Sequence, residues 1–161
     1  MFFRGGFFMK ITEIMSEDLI EPSLKATTKD EVIEELVDLA LKKQKNIDKS
    51  AIIAAVKQRE ELMSTGIGND IGLPHAKTNA VPDLIIAFGR SLKGIDFGAL
   101  DGRPVKIFYL LLAPEDQSGP HVKALAHISR LLKHAYFRDA LLSAKNAKEI
   151  YEIIKEEEKQ K

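Results

Sequence analysis

The run Val105-Lys106-Ile107-Phe108-Tyr109-Leu110-Leu111-Leu112 constrains this chain more than any other stretch. It is almost continuously apolar, and Ala113-Pro114 ends it. A run of that length and make-up reads as a strand buried in the middle of a sheet. Residues 84–88 (LIIAF) read as a second strand, and residues 94–102 as a loop with short extended pieces and an Asp101-Gly102 turn. Helical patterns lie before and after. Thr28-Lys29-Asp30-Glu31 has the spacing of a capping box. Val32, Ile33, Leu36, Val37, Ala40 and Leu41 follow at helical spacing, with Lys42, Lys43 and Lys45 where cations suit a helix C-terminus. A second helix is predicted over 49–60, capped by Asp48, with Ile52, Ile53 and Val56 as its apolar stripe. Downstream, Val122, Leu125, Ile128, Ser129 and Leu132 predict a helix over 120–133 with Ser118 as its cap. A short helix over 137–143 and a final one over 147–157, with Ile150, Ile153 and Ile154 inward, complete the pattern. The charged tail, 156–161, reads as frayed. Helices, then strands, then helices again predict an α/β layer fold.

The 161 residues suit a single domain with a real core. Residues 1–8 (MFFRGGFF) precede a second methionine, and their apolar pieces are too short for a signal peptide. They read as an N-terminal extension, with the domain at 9–161; an ordered edge strand is the alternative. Lysines and arginines equal aspartates and glutamates, 24 against 24, so no global basic field draws nucleic acid or an anionic membrane. No apolar run approaches the ~20 residues of a membrane span. The absence of cysteine excludes disulfides, thiolate zinc sites and cysteine nucleophiles, and fits a reducing cytoplasm.

Residues 64–75 (STGIGNDIGLPH) cannot form a stable helix. Gly66, Gly68 and Gly72 miss the dinucleotide-binding spacing by one residue, and no Gly-Lys-Ser/Thr is present, so there is no familiar site for NAD or ATP. Such glycines expose backbone N–H groups that can form an anion nest. Pro74 fixes the backbone beside His75, and a neutral imidazole is a competent nucleophile near pH 7. A surface-loop histidine without a role has the same local chemistry, so both readings stand. Arg59, at the end of the preceding helix, is either a dipole partner or a fork for phosphate oxygens. His121 opens a helix, where the bare sequence favours a solvated side chain over one turned to a neighbouring loop. His127 and His134 share a predicted helix face, with His134 as a last-turn cation, but no histidine pair has zinc-helix spacing.

Two separated motifs carry a resemblance. Arg59-Glu60-Glu61, Ser64-Thr65-Gly66-Ile67-Gly68 and Ile71-Gly72-Leu73-Pro74-His75-Ala76 resemble the active-site region of the IIA domains of the bacterial sugar phosphotransferase system, fructose/mannitol type, which includes the nitrogen-related regulatory branch. Leu111-Leu112-Ala113-Pro114-Glu115-Asp116-Gln117, followed by His121 and Leu125, extends the likeness, which covers roughly residues 11–155. One departure is Gly72, where the family usually has alanine. The resemblance implies a central mixed β-sheet flanked by α-helices. It implies that His75 is phosphorylated by the carrier HPr or its nitrogen-branch paralogue, with Arg59 and His121 as the other active-site side chains. Thr65, Gly66 and Gly68 are then expected at the phosphate. No cofactor or metal is implied. In transport members the phosphoryl group passes to a IIB cysteine, here on a separate protein; in the regulatory branch its presence switches partner binding.

Overall fold

The computed structural model describes residues 10–160. The expectations for residues 1–8 and for a domain start at Met9 lie outside them. Two short elements that the sequence pattern did not announce come first, α1 (Ile11–Ile14) and β1 (Ile20–Glu21). Helix α2 (Lys29–Ala40) follows, with Thr28 Oγ1 accepting from the Glu31 amide and Glu31 reaching back to Thr27. It ends before the lysines assigned to its last turn, and Lys43 instead pairs with Asp18. Helix α3 (Lys49–Leu62) is capped by Asp48. Three short strands occupy the glycine-rich stretch: β2 (Gly66–Gly68), β3 (Ile71–Gly72) and β4 (His75–Lys77). Strands β5 (Ile85–Ile95) and β6 (Val105–Ala113) are long, and then come α4 (Ser118–Leu131), α5 (Ala135–Ser143) and α6 (Ala147–Lys159).

The sheet is mixed and runs β1-β5-β6-β3-β2, with β4 also on β6. Strand β6 is the central one anticipated, and residues 107–113 are fully buried. β5 pairs with it antiparallel, and β3 and β4 pair with it parallel. Ile71 pairs with Ile107 and His75 with Leu111, a constant offset, so β3 and β4 are one line of chain interrupted at Leu73-Pro74. Proline has no N–H to donate, but the Pro74 carbonyl still accepts from the Leu111 amide at 3.1 Å. The interruption therefore preserves the register that sets the position of His75.

Helices flank the sheet. α2 packs on α3 and β5, α3 on β4, α4 and α5 on β6, and α6 on α5, α1 and β1. Gly72 sits against Phe108 and Val105, whose side chains would lie 3.1 Å from an added Cβ. An alanine there would require these side chains to give by a few tenths of an ångström.

Several expectations need correction. Ser118 is the first residue of α4 rather than its cap; Gln117 holds that position without a side-chain hydrogen bond. Val122 is 62% exposed instead of inward, because α4 is rotated to bury His121, Ala124 and Ile128. His127 lies on α4 but His134 is the N-cap of α5, so they share no helix face. The charged tail is not frayed as far as residue 159. Glu158 is buried and accepts from the Ile11 and Thr12 amides, the Thr12 hydroxyl and His127 Nε2.

Candidate active site

Strand β4 lies on β6 at a sheet edge, with α3 packed on it. There His75, Arg59 from the last turn of α3, and His121 from the first turn of α4 line one cavity of about 480 Å³. The sequence separates these three widely; the fold brings them together.

His75 is half-buried, and its Nδ1 lies 2.8 Å from the Leu73 carbonyl. A carbonyl oxygen only accepts, so Nδ1 carries the proton and the lone pair of the neutral ring is on Nε2. Nε2 makes no hydrogen bond among the described residues. Burial pushes the His75 pKa below its ordinary value; the Leu73 carbonyl and Glu60 oppose this, while Arg59 and Lys77 add to it. The result favours a neutral imidazole, protonated on Nδ1 alone, with an available nucleophilic nitrogen at neutral pH.

His121 is buried, 3% exposed, and not the solvated side chain its position suggested. Its ring centroid is 5.3 Å from that of His75, at an interplanar angle of 56°. Burial chiefly, and then His75 and Lys77, lower its pKa to about 4. Its Nδ1 is buried without a hydrogen-bond partner. An unpaired buried acceptor is better tolerated than an unpaired buried N–H, which favours the tautomer with the proton on Nε2. Arg59 is half-buried, and its Nη1 donates to the Met63 carbonyl at 2.8 Å. That bond ties the guanidinium to the chain just past α3 and leaves other N–H groups for a ligand.

Thr65, Gly66 and Gly68 do not line this cavity. The Thr65 amide and hydroxyl both donate to the buried Glu60 carboxylate, at 2.8 and 2.6 Å, and the Lys29 ammonium lies 3.0 Å from the same carboxylate. The Gly66 amide donates to Ser64 Oγ. Gly66 is needed for packing: a Cβ there would lie 2.8 Å from Ala99 Cβ. Gly68 has φ +98° and backs onto Asp101, which accepts from the Asn69 amide. The Glu60 carboxylate thus takes up the Thr65 donors, and the Ser64 hydroxyl takes up the Gly66 amide. Among the described residues no group of three or more metal-ligating side chains is placed to hold a metal.

Sequence reading passed over Lys77, which lines the cavity with His75. Its signal was its place two residues from His75, legible only once 75–77 is a strand. Leu62 and Val122, 79% and 62% exposed, give the cavity an apolar rim.

A neutral imidazole with a free Nε2, beside a guanidinium and a second neutral imidazole, is suited to receive an anionic group by nucleophilic attack. The cavity sits in an α/β protein built on a mixed sheet. A family profile described as "Phosphoenolpyruvate-dependent sugar phosphotransferase system, EIIA 2" matches residues 13–157, and the chain belongs to that family. It is 38% identical over 151 residues to the fructose-specific EIIABC component of Bacillus subtilis, covering 94% of this chain but 24% of that longer protein. It is 37% identical to the fructose-specific EIIA component of Haloferax volcanii, covering 91% of this chain and 95% of that one. The crystal structure of the nitrogen regulatory protein IIA-Ntr from Neisseria meningitidis superposes with a TM-score of 0.83 at 28% identity, covering 89% of this chain and 98% of that one.

Proposed function

We propose that this protein is a cytoplasmic phosphocarrier: His75 accepts a phosphoryl group from the phosphohistidine of an HPr-type carrier and passes it to a IIB cysteine. The observation that carries this reading is the Leu73 carbonyl on His75 Nδ1. It leaves Nε2 as the attacking atom. The Nε2 lone pair forms the new N–P bond as the N–P bond of the donor breaks, and the donor imidazole recovers its electron pair. The proton on Nδ1 stays in its bond to Leu73, so the phosphorylated ring is cationic and remains a good leaving group. The first transfer exchanges one imidazole N–P bond for another of similar energy and needs no nucleotide; in the second the cysteine thiolate forms the S–P bond as the His75 N–P bond breaks and the ring recovers its electron pair.

Phosphoryl transfer depends on in-line positioning and charge stabilisation. Arg59 holds the equatorial oxygens, and His121, neutral because its pKa is so low, donates through Nε2–H without adding charge. The 161 residues contain no cysteine, so the thiol acceptor lies outside them. No helix among the described residues is long and apolar enough to cross a membrane. The fructose-specific names of the two relatives support the transport reading.

The likeness to a nitrogen regulatory protein favours a second reading, in which phosphorylation of His75 switches binding to regulatory targets. The test is incubation with phosphorylated HPr. Wild type takes up label and His75→Ala does not; label on His75→Ala removes the phosphohistidine reading. Onward transfer to a IIB cysteine supports transport, whereas a stable phosphoprotein with a phosphorylation-dependent partner supports regulation.

A further inference from the structure

Lys77 carries a charge that no carboxylate neutralises among the described residues. Lys77 is exposed and, like Lys42, Lys93 and Lys123, has no ion-pair partner among the described residues; its place beside His75 is what sets it apart. Lys77 ends β4 two residues after His75, and alternate residues of a strand point to the same face. Both side chains line the cavity they share with Arg59 and His121. The one polar contact of Lys77 Nζ is Ser118 Oγ, 3.3 Å away, on the first residue of α4. That hydroxyl itself donates to the Glu115 carbonyl, so it meets the ammonium as a neutral acceptor.

A phosphoryl group carries up to about two negative charges near neutral pH. Arg59 brings one positive charge from the α3 side, and one of its nitrogens is already committed to Met63. Lys77 brings the second from the α4 side, on a flexible stem that can leave a weak contact with a neutral hydroxyl for an anionic oxygen. We propose that Lys77 is a second cationic ligand of the phosphoryl group on His75, moving to its oxygens from a resting contact with Ser118. The proposal rests on phosphorylation of His75. No bond to phosphorus forms or breaks at Lys77; an N–H donor changes acceptor. In the unphosphorylated protein the same charge disfavours protonation of both imidazoles, joined by Arg59 and opposed by Glu60 at His75.

A merely structural Lys77 would tether β4 to α4 through Ser118, and the test separates the two roles. Initial rates of labelling by phosphorylated HPr are measured for wild type, Lys77→Ala, Lys77→Arg and Ser118→Ala, with His75→Ala as blank and circular dichroism to confirm the fold. The His75 ring is titrated by NMR in wild type and Lys77→Ala. Lys77→Ala is expected to slow labelling about tenfold, a discounted value for a partly solvated cation. Lys77→Arg restores most of the rate, Ser118→Ala stays within about twofold of wild type, and the His75 midpoint rises in Lys77→Ala. A wild-type rate in Lys77→Ala overturns the proposal, as does a loss in Ser118→Ala equal to that in Lys77→Ala, which assigns a tether. Wild type that takes up no label removes the phosphohistidine reading itself, a result distinct from the other two.

Discussion

Replacing Glu158 by alanine tests whether the charged C-terminal turn is part of the folded unit. Glu158 is 2% exposed and accepts four hydrogen bonds: 2.5 Å from the Ile11 amide, 3.1 Å from the Thr12 amide, 2.9 Å from the Thr12 hydroxyl and 2.9 Å from His127 Nε2. It thereby joins the first helix, the last helix and α4. Truncation removes the acceptor of buried donors on two elements, and an unsatisfied buried group costs about 1–3 kcal/mol. The Ile11 amide and the His127 ring together set the loss at about 3 kcal/mol. For a domain of this size each kcal/mol moves Tm by roughly 2–4 °C, so the expected fall is about 6–12 °C. Thermal and urea unfolding at pH 7 measure it. The pH dependence gives a second readout. Burial alone would raise the Glu158 pKa, but the bonds from His127, Ile11 and Thr12 outweigh it and hold the pKa below the ordinary 4.5. A depressed carboxyl pKa stabilises the fold above the unfolded value and loses that contribution as pH falls through the folded one. The gap between wild type and Glu158→Ala therefore narrows only below about pH 4.5. A Tm within 2 °C of wild type at pH 7 would refute the reasoning and return the segment to a frayed tail.

Three further outcomes are expected. NMR titration of His75 gives a midpoint below its ordinary 6.5, because burial disfavours the charged ring; a midpoint above 6.5 would show that the Leu73 carbonyl and Glu60 prevail. Since His75 and His121 both titrate lower in the folded than in the unfolded chain, they withdraw stability as pH falls from 6.5 toward 4, which urea unfolding across that range detects as a falling midpoint. Gly66→Ala places a Cβ 2.8 Å from Ala99 Cβ and 2.9 Å from its Cα, and is expected to cost about 1–3 kcal/mol in urea unfolding, with an unchanged midpoint contradicting the close approach. Leu62→Asp, on the exposed rim of the cavity, is expected to raise KM for phosphorylated HPr several-fold with Tm unchanged; an unaltered KM excludes that rim from partner contact.

Much of the architecture was legible because local and global signals agree. The 105–112 run became β6, the capping box at Thr28 became the start of α2, and Asp48 became the cap of α3. Less legible were the elements whose stability comes from distant partners. β1 is two residues long and exists by pairing with β5, and of the buried carboxylates in the last turn of α6, Glu158 serves the first helix and Glu157 accepts from Tyr136 of α5. Val122 fits an inward helical spacing in sequence, but the rotation of α4 is set by packing His121, Ala124 and Ile128 against the rest of the fold. The surroundings of the glycine loop were hidden for a related reason. Exposed amides are visible in a glycine-rich sequence, whereas Glu60, Ser64 and Asp101, which accept from them, are recognisable as acceptors only in three dimensions.

The sequence by itself determined the layered α/β plan, the family, and the candidacy of His75, Arg59 and His121. Side-chain type and spacing carry that information. Tertiary structure alone decided which nitrogen of His75 is free, since a backbone carbonyl two residues away holds the other. It alone decided that His121 is buried and neutral, 5.3 Å from His75, because α4 packs on the strand that also carries β4. It also placed Lys77 in the cavity and the glycine loop outside it. The Leu73 bond is local in the chain, but burial and the packing of α3 and α4 around the site set protonation and grouping, and residues 64–77 by themselves do not contain those.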